Sequence, residues 1–402
     1  MCADIKKDPI GTESPETQGR IPYSQFVQKT WEEHHLMSVL VELTYQCNLS
    51  CWFCYNDVGR KDELLSLEQH LQLLEDLAAM QVFHLVLTGG EPLAHPHFFE
   101  IGRRAKELGF VVRLKTNGHL LNRAMAEKLI QEVDPFLVEI SLHGIDAETH
   151  ERQTRVPGSF DRLMENLRHG REAGLRIKIN STLTRWNEDQ MEDMMALADD
   201  LGLQLRVDPV VTVRDNGDSS PLSIAASPEG LENLLRLQRR RTEAAAQGLA
   251  TTLSVGRDAD RFMPTGTAQA TQALGAQAPG SRPAPKKTKH CGAGSGGLAI
   301  DPFGNVYPCV QWRVPVGNVR QTRIHDLWTG SEKLDDVRRQ NREIHSKVES
   351  MGFWGKALGF CPGAAAVETG DAGQIYDAAR RRADTTVRLA DESKPLLPVI
   401  KG

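Results

Sequence analysis

The sequence predicts an α/β protein in which a partial (β/α)6 barrel is followed by a small module of a cysteine-containing hairpin and helices. Between about residues 38 and 209, short apolar runs alternate with amphipathic helical patterns, which is typical of a parallel sheet with helical crossovers. After residue 290 the pattern changes to a hairpin and further helices. A closed barrel of this kind needs about eight strand–helix units, so the shorter series here predicts a partial barrel.

The predicted strands read as continuous apolar runs, as expected for strands buried on both faces. Helices between them have recognisable starts: Ser66 and Gln69 match a capping box, and Asn122 is a suitable N-cap. A parallel barrel places functional side chains at the carboxyl ends of its strands. The strands are predicted at residues 39–44, 84–88, 111–115, 137–141, 176–180 and 204–207.

Changes in composition divide the chain into five segments. The segment before the C-terminal module is rich in Ala, Gly, Pro, Thr and Gln without periodic apolar residues, which favours a flexible linker. The hairpin of that module is predicted at residues 298–301 and 305–309. The segments are an N-terminal extension (1–36), the partial barrel (37–225), a helix and flexible linker (226–290), the cysteine-containing module (291–370), and a C-terminal helix and tail (371–402).

Charge and composition narrow the classes of partner. A net charge of −5 and a pI near 6.2 give no general attraction to nucleic acid or to anionic lipid. No window is apolar enough to span a bilayer, and residues 1–20 lack the apolar core of a signal peptide, so we expect a cytoplasmic protein. Seven cysteines, an odd number, argue against a disulfide framework and favour metal ligation.

The first cysteine cluster, Cys47, Cys51 and Cys54, follows directly after the first predicted strand. Three thiolates in a short loop can hold three irons of a 4Fe–4S cluster and leave the fourth iron open for substrate or cofactor. The alternative is a zinc site, which would normally need a fourth Cys or His nearby. The nearest histidines are not at zinc-finger spacing; they are His34, His35 and His70.

This spacing, with Phe53 just before the third cysteine, resembles the radical S-adenosylmethionine (SAM) superfamily. The sequence Gly89-Gly90-Glu91 at the end of the second strand supports the resemblance. The resemblance implies that the glycines bring backbone close to the methionyl amino group of SAM and that Glu91 supplies its counter-charge. It also implies that one electron entering the cluster cleaves SAM to a 5′-deoxyadenosyl radical, which abstracts hydrogen from a substrate.

Three further positions match the family less specifically. Asn117 closes the third strand and Ser141 the fourth, while Arg155 precedes Gly158-Ser159-Phe160. The resemblance implies that these residues help to bind SAM, the serine and arginine by holding its ribose and carboxylate. The alternative for Ser141 and Arg155 is an ordinary cap and a surface charge.

The second cysteine set, Cys291, Cys309 and Cys361, resembles the SPASM or twitch extension of this superfamily. The resemblance rests on Gly304, which is separated from Cys291 by twelve intervening residues, and on the following Tyr-Pro-Cys309 segment. It implies an auxiliary 4Fe–4S cluster with three cysteine ligands, whose fourth iron takes water, a non-cysteine side chain or the substrate. The alternative is a degenerate site in which Cys361 is simply buried.

The resemblance is closest to maturases of ribosomally synthesised peptides, which form crosslinks or thioethers or epimerise residues. Only about 35 residues precede the first strand, too few for a leader-binding domain, so we expect leader recognition by a separate leader-peptide-binding protein or by the barrel and the C-terminal module. An electron donor such as flavodoxin or ferredoxin is also an expected partner. Two alternatives are a small-molecule enzyme of cofactor or tetrapyrrole biosynthesis and a non-catalytic iron–sulfur electron carrier.

Overall fold

The barrel is an open parallel sheet of six strands, as predicted. The computed structural model describes residues 23–57, 59–246 and 288–392. The strands lie in the order β6-β5-β4-β3-β2-β1 and are all parallel. Each overlaps its predicted position. They are β1 (Ser38–Glu42), β2 (His84–Thr88), β3 (Val111–Thr116), β4 (Leu137–Ser141), β5 (Ile177–Thr182) and β6 (Gln204–Asp208).

Helices cross over between the strands and cover the outer face of the sheet. The capping box at the start of α2 is present, since the Ser66 hydroxyl accepts from the Gln69 amide and the Gln69 side chain accepts from the Ser66 amide. Asn122 caps α4 through one hydrogen bond, which its side-chain oxygen accepts from the Met125 amide at 3.0 Å. The helices of this part are α1 (Tyr23–Glu32), α2 (Leu67–Ala79), α3 (Phe98–Glu107), α4 (Arg123–Glu132), α5 (Ala147–Thr154), α6 (Ser159–Glu172), α7 (Met191–Asp200) and α8 (Pro228–Ala246).

The hairpin of the C-terminal module continues the barrel sheet. Strand β7 (Gly297–Ile300) pairs with β1 in parallel, and β8 (Asn305–Tyr307) and β9 (Gly317–Asn318) follow antiparallel, which makes a sheet of nine strands. Leu298, Ile300 and Val306 accordingly belong to the same apolar core as the barrel strands. The module ends in α9 (Ile324–Gly330), α10 (Glu332–Ser350), α11 (Gly352–Ala357), α12 (Pro362–Thr369) and α13 (Asp377–Glu392).

Most of the predicted linker lies outside the described residues, as do residues 1–22 and the tail beyond Glu392. The division into five segments therefore stays a prediction. Among the helices that the structure describes, none is both long enough and apolar enough to cross a membrane.

The inner face of the barrel is polar between β3 and β5. Glu139 is buried at its centre, ion-paired with Arg113 and 3.6 Å from the Lys115 Nζ, and it accepts from the Asn180 amide at 2.7 Å. Burial by itself raises the pKa of Glu139. The positive charges of Lys115 and Arg113 have the larger effect and lower that pKa to about 2. Because these groups are charged or hydrogen-bonding, the interior can present polar side chains to a ligand instead of packing as an apolar core.

Candidate active site

One cavity joins the two cysteine sets. Its volume is about 1090 Å³, and it extends from the carboxyl ends of the barrel strands to the start of the C-terminal module. The cavity is lined by all six cysteines of the two sets, Cys47, Cys51, Cys54, Cys291, Cys309 and Cys361, and by Phe53, Gly89, Gly90, Asn117, Ser141 and Arg155. Nine of the ten predicted SAM-site residues, counting the first three cysteines, therefore share one space with the second cysteine set, and Glu91 is the exception described below.

The first cysteine loop is held in place by backbone hydrogen bonds from its neighbours. The Ser50 amide donates to the Thr154 carbonyl at 3.1 Å, which fixes the loop on the end of α5. From the opposite side Arg214, in the segment after β6, donates to the carbonyl oxygens of Cys54 (2.8 Å) and Trp52 (3.1 Å). A main-chain hydrogen bond to the end of α5 and two hydrogen bonds from the Arg214 guanidinium thus hold the loop that carries the three thiols.

The three thiols of this loop lie close enough to affect one another's ionisation. Burial raises the pKa of each, and for Cys51 the neighbouring Cys54 and Cys47 raise it further. The Leu49 amide and the Asn117 side chain face the Cys47 sulfur at 3.4 and 3.6 Å. Three thiolates this close together need a strongly cationic group beside them, and an iron–sulfur cluster fits this donor set.

The zinc alternative has no geometric support. Within residues 23–57, 59–246 and 288–392, no three His, Cys, Asp or Glu side chains are arranged to hold a single metal ion.

The glycine turn after β2 packs on the backbone that leads into the cysteine loop. Gly89 has a φ of +149° and its Cβ would overlap Thr44, while a Cβ at Gly90 would lie 2.7 Å from the Gln46 carbonyl carbon. The Gly90 amide donates to the Thr44 carbonyl at 2.6 Å. The two glycines are thus needed where two backbones meet, just before Cys47.

Replacing Gly90 with alanine is expected to displace the segment before Cys47 and to destabilise the folded protein by about 1–3 kcal/mol, because the added methyl group has no space. Iron content after anaerobic reconstitution, and urea unfolding, measure the two effects. Gly330→Ala is the control, since a Cβ there meets nothing within 4 Å. Iron retention equal to that of the control would contradict the assigned packing.

Glu91 differs from its expected position. Its carboxylate is fully buried and accepts from the Thr116 hydroxyl (2.8 Å), the Asn117 amide (2.8 Å) and the Leu93 amide (3.0 Å). Burial raises the pKa of Glu91 to about 7. The side chain therefore joins the end of β2 to the end of β3 and holds Asn117 beside Cys47. It does not line the cavity, where a counter-charge for an ammonium group would have to lie.

Phe53 lies at the centre of the site, with its ring edge-on to His143 (centroids 4.5 Å apart). His143 Nδ1 accepts from the Thr182 amide at 3.3 Å, and burial lowers the pKa of His143 to about 3, so the ring is neutral. Arg155 caps α5 in a left-handed conformation and lies over the Trp52 ring at 5.3 Å. Both Ser141 and Arg155 face the cavity, as expected for ligand-binding residues.

Asn56 is a site residue that sequence reasoning missed. It is almost fully buried and lines the cavity, and its amide nitrogen donates to the Gly89 carbonyl at 3.2 Å. Its Oδ1 has no hydrogen-bond partner among the described residues. A buried acceptor without a partner is costly, so Asn56 is suited to accept from a bound ammonium group such as that of SAM.

The second cysteine set also converges at the cavity. Burial raises the pKa of all three thiols, and for Cys361 the neighbouring Cys309 and Cys291 raise it further. Asn341 is fully buried, and its side chain holds the Cys291 amide (3.0 Å), carbonyl (2.9 Å) and sulfur (3.4 Å). This donor set fits an iron–sulfur cluster with three thiolate ligands.

A buried ion pair connects the two cysteine sets. Glu42 is fully buried at the end of β1 and binds the Arg313 guanidinium through two contacts of 2.8 and 3.0 Å. It also accepts from the hydroxyl of Tyr55, the neighbour of Cys54, at 3.0 Å. Arg313 follows Cys309 closely in sequence, so Glu42 ties the loops of both sets together.

Family models match both parts of the chain. The model described as the Radical SAM superfamily matches residues 41–198. A second model, for an iron–sulfur cluster-binding domain (SPASM), matches residues 291–349.

Similar proteins include biosynthetic enzymes of two kinds. The pre-heme d1 synthase of Dinoroseobacter shibae is 30% identical over 77% of this chain and 77% of its own length. The mycofactocin maturase MftC of Mycobacterium ulcerans is 31% identical over 80% of this chain and 81% of its own length. Among solved structures, Streptococcus suis SuiB bound to precursor peptide SuiA matches this chain with a TM-score of 0.66 and 17% identity. The match covers 94% of this chain and 84% of SuiB, and it supports the fold.

Proposed function

Because the chain belongs to the radical SAM superfamily and carries a SPASM iron–sulfur domain, we propose that it modifies a ribosomally synthesised peptide. The modification would be a crosslink, a thioether or an epimerisation. The observation that carries this proposal is the single cavity between the two cysteine sets. A peptide segment lying there can face the SAM site with one residue while neighbouring residues reach the second set. The similarity to a mycofactocin maturase supports the same substrate class.

The residues around the first set fit a cluster with bound SAM. In this proposal Cys47, Cys51 and Cys54 hold the cluster, Asn56 accepts from the amino group of SAM, and Ser141 and Arg155 bind its ribose and carboxylate. A cluster held by these three thiols would provide the chemistry of one-electron reductive cleavage of SAM. The roles of this chain's own residues are to hold SAM in one orientation and to aim its ribose into the cavity.

A substrate radical generated there needs shielding and an electron route. Phe53 and the neutral His143 form an edge-to-face pair in the cavity wall, where they exclude water without introducing charge. The second cysteine set lines the same cavity, and its three thiols would hold an auxiliary iron–sulfur cluster that would supply one-electron redox chemistry there. A flavodoxin or ferredoxin is the proposed donor to the first cluster, and a separate leader-binding protein is a proposed partner.

A second candidate substrate is a carboxylate-bearing tetrapyrrole. Lys115 and Arg206 both line the cavity and supply cations suited to propionate side chains. The sequence identity to the pre-heme d1 synthase, 30%, is close to the 31% identity to the mycofactocin maturase. This alternative needs no leader-binding partner.

Substrate-dependent formation of 5′-deoxyadenosine separates the two candidates. The reconstituted protein is incubated anaerobically with SAM, dithionite and either a candidate precursor peptide or a propionate-bearing haem precursor. We expect the peptide to raise 5′-deoxyadenosine at least about tenfold above the substrate-free rate, equivalent to about 1.4 kcal/mol, and to change mass. Stimulation by the tetrapyrrole alone would instead select the second candidate and contradict peptide modification.

A further inference from the structure

Arg214 places a positive charge beside the first cysteine loop. It lies in the segment after β6, and its guanidinium donates to the Cys54 carbonyl at 2.8 Å and to the Trp52 carbonyl at 3.1 Å. The carbonyl oxygen and the sulfur of one cysteine are at most about 5 Å apart, because only four bonds join them. The Arg214 cation therefore lies within about 8 Å of the Cys54 sulfur.

This charge acts on the sulfurs as well as on the main chain. Burial raises the pKa of Cys51 and of Cys54, and the positive charge of Arg214 acts in the opposite direction on both thiols. The Arg214 side chain is only 18% exposed and lines the cavity. Solvent therefore screens its charge less than it screens a charge on the open surface.

The surrounding carboxylates offset this positive charge only in part. Asp218 is ion-paired with Arg214 at 3.1 Å, but its side chain is 45% exposed, so solvent screens its negative charge. Asp215 faces Arg313 at 3.4 Å, and burial raises the pKa of Asp215 to about 6. Burial likewise raises the pKa of Glu91 to about 7, so that this carboxyl is partly protonated at neutral pH.

We propose that Arg214 sets the reduction potential of the first cluster through its charge. Reduction transfers one electron from an external reductant to the cluster and so adds one negative charge beside Arg214. A nearby cation stabilises the reduced form more than the oxidised form, which raises the reduction potential. Arg214 is thus a positioning residue for the loop and an electrostatic aid to the entry of the electron. This inference goes beyond the proposed function and does not depend on the identity of the substrate.

The test separates the charge of Arg214 from its hydrogen bonds. The full-length chain carries Cys291→Ala, Cys309→Ala and Cys361→Ala, so that only the first cluster contributes an EPR signal during an anaerobic redox titration with dithionite. Arg214→Gln keeps a hydrogen-bond donor but removes the charge. We expect it to lower the ratio of reduced to oxidised cluster about tenfold at a fixed ambient potential. Arg214→Lys keeps the charge and should stay close to the protein that retains Arg214.

A substitution at Asp218 should have the opposite sign. Asp218→Asn removes the carboxylate that partly offsets Arg214, so we expect the ratio of reduced to oxidised cluster to rise. The change should be smaller than that in Arg214→Gln, because Asp218 is the more exposed of the two side chains. Arg339→Gln on α10 is the matched control for loss of an exposed arginine and should leave the ratio unchanged.

Three outcomes would overturn the proposal. In the first, Arg214→Gln gives the same ratio as the Arg339→Gln control. In the second, Arg214→Lys falls as far as Arg214→Gln, which would mean that the guanidinium acts only by holding the loop. The third is an unchanged or lower ratio in Asp218→Asn, and this measurement decides the question should Arg214→Gln lose its iron. A protein that retains Arg214 but binds no iron at the first loop would contradict the cluster itself and, with it, this role.

Discussion

The protein with Cys47, Cys51 and Cys54 all replaced by alanine is expected to form no 5′-deoxyadenosine from SAM above background. The three thiols are the ligands that the first loop offers to a cluster, and the Ser50 and Arg214 hydrogen bonds hold that loop at the cavity without involving the sulfurs. The variant should therefore fold and keep about four irons at the second set.

The matched control removes the second set instead. A variant with Cys291, Cys309 and Cys361 replaced by alanine should lose about four irons but retain SAM cleavage. Liquid chromatography of the quenched reactions and an iron assay provide both readouts. Cleavage of SAM by the first variant, or its loss in both variants alike, would contradict the assignment of SAM cleavage to the first loop.

Replacing Arg313 with methionine is expected to destabilise the folded protein by about 3–5 kcal/mol, because it leaves the Glu42 carboxylate buried without its cation. The two tyrosine hydroxyls at 3.0 and 3.2 Å remain, but neutral donors do not replace a guanidinium that makes two contacts. The free energy of unfolding from urea titration of the cluster-free protein measures the effect.

The same substitution should weaken both clusters, since Glu42 also positions Tyr55 beside Cys54. Arg339→Met is the control for loss of an arginine, because Arg339 is exposed and its ion pairs should contribute about 0–1 kcal/mol. A double variant with Glu42→Met should recover part of the stability by removing the buried charge. An Arg313→Met protein as stable as the Arg339→Met control would contradict the role given to this ion pair.

Local patterns were sufficient to predict the barrel and to select residues that lie on one cavity. The spacing of Cys47, Cys51 and Cys54 and the turn at Gly89 and Gly90 are short-range features, and the order of strands and helices places them at the same end of a parallel sheet. The second cysteine set was found because the hairpin with Cys309 is also a local motif. The structure places both sets on one cavity.

Contacts between distant segments could not be predicted in this way. Glu42 and Arg313 are 271 residues apart, and no periodicity in either segment indicates that they meet. The pairing of β7 with β1, which joins the two modules into one sheet, is non-local for the same reason. Asn56 carries no motif, and only its buried, unpartnered oxygen identifies it.

Glu91 shows a different limit of prediction from sequence. The Gly-Gly-Glu motif correctly located the turn, but a motif does not reveal which way a side chain points. The three hydrogen bonds of the Glu91 carboxylate direct it into the protein, toward Thr116 and Asn117. The close approach at Gly89 and Gly90 is likewise between two backbones of this chain.

The most direct test of the account is the reaction of the wild-type protein after anaerobic reconstitution with iron and sulfide. Iron per chain and 5′-deoxyadenosine are measured after incubation with SAM and dithionite. We expect about eight irons, four for each cysteine set, together with formation of 5′-deoxyadenosine. Both clusters present but no cleavage of SAM, with or without candidate substrates, would contradict it and identify the protein as an iron–sulfur electron carrier.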